Sequence, residues 1–149
     1  MTLKKKGEYW YGTTMEDLEA EMVDYSTQNV YVATRFRQSH CHCGSDTFKL
    51  ETDDEVGAAR RICAACGAVH LMGDSSEYAD EADFSRHMHL CEPNGYENFK
   101  LLSGVALYEG SNDVRWYYIG CLCTNCQLVG VFAEWKCEAG DADTFLANV

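Results

Sequence analysis

From residue 13 to 29, in TTMEDLEAEMVDYSTQN, the apolar positions Met15, Leu18, Met22 and Tyr25 recur at steps of three and four, with acids between them. That is the spacing of one helix face, and it predicts an amphipathic helix laid on an apolar surface. Thr13 with Glu16, or Thr14 with Asp17, can close a capping box at its start. Tyr9, Trp10 and Tyr11, just ahead, are expected to pack with it. Further along, the period shortens towards two. TFKLET and GAARRIC read as strands joined by the acidic turn Asp53, Asp54, Glu55, and AVHLM follows as a third. FKLLSGVALYE, DVRWYYIGC and LVGVFAEWK predict three more strands, whose aromatic residues suit packing between the two halves of the chain. A short helix is expected from about Asp143 to Ala147.

The halves match piece by piece. Phe48-Lys49-Leu50 is echoed by Phe99-Lys100-Leu101, Cys63-x-x-Cys66 by Cys123-x-x-Cys126, and Ala68-Val69 by Leu128-Val129. The second hairpin is nine residues longer. Such repetition points to two copies of one supersecondary unit. The implied organisation is an N-terminal segment and helix over 1–37, a first unit over 38–72, an acidic connector over 73–86, and a second unit with a tail over 87–149. The connector, GDSSEYADEADF at its core, carries Asp74, Glu77, Asp80, Glu81 and Asp83 with no base. Tyr78, Ala82 and Phe84 are available to anchor it.

Composition narrows the classes. The longest clean apolar run, Leu128 to Ala133, is six residues, far short of a membrane span. The start, MTLKKKGEYWYG, has lysines but no apolar stretch behind them, so no secretory signal is read and a cytoplasmic location is expected. With 12 bases against 24 acids the net charge is -12, which disfavours nucleic acid and steers basic proteins towards the chain. Nine cysteines in a cytosolic setting point to metal rather than to disulfides.

Their spacing supports this. Cys41-x-Cys43-Gly44, then nineteen residues, then Cys63-x-x-Cys66-Gly67 puts two cysteine pairs on tight turns joined by a hairpin. Four sulfurs so placed can surround one zinc at ~2.3 Å. Over residues 38–72 this resembles a zinc ribbon. A set of four thiolates leaves no open coordination position, which makes the site structural. A thioredoxin-type pair would be followed by a helix, whereas β-prone Ala68-Val69 follows here. In the second half, Cys91, Cys123 and Cys126 offer three ligands. The fourth is His89, alternating with Cys91, or else Cys121 or Cys137, the remaining alternative being a second half without metal. A catalytic zinc finds little support: the deaminase pattern needs a glutamate where Cys91 stands and a proline where Leu122 stands. His40 and His42 flank the first turn, His70 alternates with apolar neighbours, and His87 adjoins the second set. Nothing places a base beside Cys137 for nucleophilic chemistry.

The whole chain resembles a small bacterial-type protein with tandem, duplicated zinc ribbons. The expected fold is a small β-rich α+β protein of two zinc-ribbon-like antiparallel units and an N-terminal helix, holding two structural zinc ions. The expected function is a non-catalytic interaction module, of inhibitor or immunity type, whose acids at Asp74, Glu77, Asp80, Glu81 and Asp83 meet a basic protein. The alternatives are a transcription-associated ribbon using Lys4–Lys6, Arg35, Arg37, Arg60 and Arg61 on nucleic acid or polymerase, and a zinc hydrolase at the second site.

Overall fold

The computed structural model describes residues 3–149. Ten strands run β1 Lys4–Lys6, β2 Tyr9–Tyr11, β3 Arg35–Gln38, β4 Phe48–Asp53, β5 Ala58–Cys63, β6 Val69–Leu71, β7 Ser85–Arg86, β8 Phe99–Leu107, β9 Val114–Cys123 and β10 Leu128–Lys136. They form one antiparallel sheet in the order β1-β2-β10-β9-β8-β4-β5-β6, with β3 on β8 and β7 on β4. The main helix, α1, is Met15–Gln28, and a short α2 is Ala142–Leu146. The fold is thus small and β-rich with one main helix.

The period-two pattern of β9 explains how the sheet is covered on both faces. Tyr117, Ile119, Cys121 and Cys123 enter one core, while Tyr118 and Leu122 enter another beneath α1. Leu18 and Met22 of α1 are fully buried on that second face. The helix sits close because β9 has a glycine below it: a Cβ on Gly120 would lie 2.3 Å from Met22 Sδ. Its start is a capping box: Thr14 Oγ1 accepts the Asp17 N–H at 3.1 Å, and Asp17 accepts the N–H groups of Thr13 and Thr14. At its far end, Asn29 Nδ2 donates to Tyr118 Oη and Glu134 Oε1, both at 3.0 Å.

The first hairpin, β4–β5, folds over the other face. Gly57 at its tip meets the Trp135 ring, the His87 ring lies tilted at 5.9 Å from Phe132, and Phe99 lies edge-on to Phe132 at 5.1 Å. Of the aromatic residues of the second half, Trp135 thus reaches the first hairpin, whereas Phe132 packs within its own half and Trp116 and Tyr118 pack on Tyr31 and Tyr25 of the N-terminal segment. The N-terminal segment does more than pack on the sheet. β2 pairs with β10 and β3 with β8, so it supplies strands that no alternation in so few residues could signal. The chain's end is tied back as well. Arg61 Nε and Ser39 Oγ donate to the Val149 main-chain oxygen at 2.8 and 2.9 Å, and His70 Nε2 meets the Asn148 oxygen at 2.8 Å.

One buried acid on α1 yields a prediction. Glu21 is 8% exposed and its Oε2 has no partner. Burial, then Asp24, pushes its pKa up to about 7 from 4.5, against the pull of Lys5. The fold therefore favours the protonated form, and its stability declines as pH rises from the unfolded value through about 7. Glu21→Gln is expected to stabilise by about 2 kcal/mol at pH 8 and by almost nothing at pH 4, measured by urea unfolding at both pH values. Equal effects at the two would refute the assignment.

Candidate metal centres

The first centre forms where the strandless segment 39–47 crosses the turn after β5. The Sγ atoms of Cys41, Cys43, Cys63 and Cys66 all lie within 4.8 Å of one another, with Cys41–Cys66 and Cys43–Cys63 both 3.6 Å. A tetrahedron of Zn–S bonds of ~2.3 Å needs sulfurs roughly 3.8 Å apart, so the spacing suits zinc. Backbone turns build the arrangement. The Cys41 N–H donates to the Ser45 oxygen at 2.8 Å, and the Gly67 N–H to the Cys63 oxygen at 2.9 Å. Gly44 and Gly67 take φ of 95° and 77°, the left-handed region open to glycine. The Cys66 N–H donates to Cys63 Sγ at 3.5 Å, and this contact leads the causes that hold the Cys63 thiol down to about 6. Arg61 lies buried beside this cluster, stacked on Phe48 at 4.7 Å, and burial lowers its pKa against the opposing pull of the neighbouring cysteines. His42 Nδ1 is 3.6 Å from Cys41 Sγ, and His40 is exposed.

The second centre draws on the loop after β7 and the turn between β9 and β10. His89, Cys91 and Cys126 place a ligand atom each within 4.8 Å of one another. Cys123 Sγ stands outside that trio and 3.8 Å from Cys91 Sγ. His89 is held by a two-way backbone bridge to Tyr96 at 2.8 and 2.7 Å, and Asn125 Nδ2 donates to Cys91 Sγ at 3.3 Å. Burial, above all, pushes the Cys126 thiol up to about 12. Both clusters can hold a metal ion, and their donor sets are compatible with zinc.

The remaining candidates fall elsewhere. Cys121 points into the core opposite Leu101 on β8, and burial raises its pKa well above the ordinary thiol value. Cys137 is buried with its Sγ 3.8 Å from Asp74 Oδ2, and burial pushes it up to about 12. His87 meets Thr52 Oγ1 at 2.7 Å, and burial lowers its pKa. Of the acidic connector, Glu77, Asp80, Glu81 and Asp83 are exposed, whereas Asp74 is partly buried against that thiol. Arg60 and Arg86 both pair with Glu51, at 2.7 and 2.9 Å, and Arg35 pairs with Asp143. Sequence reasoning did not find the Arg61 anchor, although a charge alternating with apolar residues in a strand beside a cysteine was the available signal.

Among the described residues no helix is long and apolar enough to cross a membrane. Comparison with known proteins returns no matching family model, no matching curated protein and no matching solved structure, so what the chain does is argued from these two centres and the surface around them.

Proposed function

We propose that the chain is a non-catalytic zinc module: two structural ions hold two ribbon-like hairpins, and the acidic surface they display docks a basic protein. The observation that carries this reading is the four-sulfur cluster of Cys41, Cys43, Cys63 and Cys66, which fills every position of a zinc ion and leaves none for chemistry. At the second centre, His89, Cys91 and Cys126 with Cys123 alongside make a mixed set of the same kind.

Duplication is supported by matching registers. Phe48 faces Cys63 as Phe99 faces Cys123. The Ala64 N–H donates to the Thr47 oxygen at 3.0 Å, and the Thr124 N–H to the Asn98 oxygen at 3.4 Å. The partner is a basic protein because Glu77, Asp80, Glu81 and Asp83 are exposed together on a chain of net charge -12. Much of its cationic material is engaged within the fold at Arg35, Arg60 and Arg61. An inhibitor or immunity-type protein guarding against a cationic effector is the concrete form of this reading.

Metal analysis of the native chain tests the core of the proposal. Two zinc ions per chain are expected, with Cys43→Ser and Cys123→Ser each losing one. A folded chain free of metal would overturn it. Capture of nucleic acid alone from native lysate at physiological salt would overturn the docking part.

A further inference from the structure

One cleft among the described residues runs against the charge of the rest of the protein. It measures about 260 Å³ and is walled by Lys4, Lys6, Tyr11, Thr13, Cys126 and Gln127, with Gly12 between them. No carboxylate lines it, in a chain with 24 acids and 12 bases. The two lysines reach it because alternate residues of β1 share a face. Lys6 Nζ lies 5.3 Å from the Tyr11 ring centre, while Lys5 turns to the other side and sits 5.8 Å from Trp10. Neither Lys4 nor Lys6 joins an ion pair among the described residues. Two lysines without an ion pair among the described residues therefore line one concave site.

The opposite wall is built at a conformational cost. Gln127 holds φ of 69°, and its N–H donates to the Cys123 oxygen at 3.0 Å. Gly67 does the same after the first turn, with φ of 77° and a bond to the Cys63 oxygen at 2.9 Å. Glycine occupies this backbone state freely and glutamine does not. The position thus keeps a side chain where the matching turn does without one, and the residue lines the cleft. The Gln127 main-chain oxygen meanwhile accepts the Gly12 N–H at 2.9 Å, pinning the two walls together.

We infer that this cleft binds a phosphate group, with Lys4 and Lys6 supplying the charge and Tyr11 and Gln127 supplying neutral donors. Lysine meets phosphate as a point charge, and two lysines suit the double charge of a phosphate better than the single charge of a carboxylate. The volume is below that of typical small-molecule pockets, so it suits one oxyanion and a few further atoms rather than a large ligand. The Asp17 carboxylate behind the Thr13 wall is buried and engaged by the N–H groups of Thr13 and Thr14, and physiological salt screens acids beyond roughly 8 Å. The site lies beside the second metal centre through Cys126 but requires nothing of that metal.

Calorimetric titration of the native protein with inorganic phosphate, and separately with ADP, tests the inference. Saturable binding is expected, weakened about tenfold or more in the Lys4→Ala/Lys6→Ala double variant. Gln127→Gly should also weaken binding, by several-fold, while raising the unfolding midpoint, because glycine relieves the backbone. A loss of affinity in that variant cannot be ascribed to unfolding. ADP binding tighter than phosphate would identify a nucleotide as the source, and equal affinity would identify free phosphate. The inference is overturned by an absence of saturation up to roughly 10 mM. Affinity unmoved by either variant, the mark of an adventitious ion only, or preference for a short RNA over both probes, would overturn it equally.

Discussion

Cys63→Ser is expected to release one metal ion and to unfold the β4–β6 unit, with loss of most of the protein's thermal stability. Cys63 closes β5, is 2% exposed, pairs with Phe48 in the sheet and carries a sulfur 3.6 Å from Cys43. Serine offers a hard oxygen where a soft thiolate is wanted, so the tetrahedral set is broken. The segment crossing that turn has no strand of its own, and its link to the β5 turn is the 3.0 Å bond from Ala64 to Thr47 besides the sulfurs. A structural zinc contributes about 10–16 kcal/mol in small zinc peptides, against a total stability of about 5–15 kcal/mol for an ordinary domain. Removal of one ion is therefore enough to tip the fold. Chelation of both should unfold the chain outright. Cys137→Ser is the matched control: it alters a buried cysteine outside both clusters and should cost stability without costing metal. Metal content, circular dichroism and hydrogen exchange read the three outcomes. If Cys63→Ser keeps its full metal complement and its melting midpoint, the first centre does not hold the fold together.

The cysteine spacing made this first centre legible, because a sulfur pair on a turn leaves a local signature that survives without the rest of the protein. The helix and the five longer strands, β4, β5, β8, β9 and β10, were legible for the same reason, as with Leu18 and Met22 in the helix or Phe48 and Leu50 in β4, and three-residue β6 was legible by its place after the Cys63–Cys66 turn. What stayed hidden depends on residues far apart in the chain. β1, β2 and β3 have three or four residues each, too few for a period to show, and they become strands by pairing with each other, with β10 and with β8. The expected N-terminal segment laid on the outside is in fact partly woven into the sheet. The Lys4–Lys6 cleft was equally invisible, since it exists only once β1 lies beside the turn at Cys126. Gln127 was the one local hint, a glutamine following its Cys-x-x-Cys where glycine follows the first one.

Phe99→Ala is expected to cost about 3–5 kcal/mol and to lower the melting midpoint by roughly 10 °C or more. Phe99 opens β8 and is fully buried. It is the one residue of β8 in register with β4, through Phe48, and it also faces Cys123 of β9. Its ring meets Phe132 of β10 edge-on at 5.1 Å, and that ring in turn lies near His87, just after β7. The side chain thus sits at the seam where the two hairpins become one sheet, between the strand ends that carry Cys63 and Cys123. Truncation leaves a void that neither hairpin can close alone, since each is held by its own sulfurs to a fixed turn. Phe99→Leu keeps most of the volume and should cost under about 1.5 kcal/mol. A graded loss across leucine and alanine, with both metals retained, would show that the seam and the centres stabilise different parts of one cooperative unit. Two separate melting transitions in the alanine variant would show instead that each hairpin folds around its own ion, and that the shared core adds little to either.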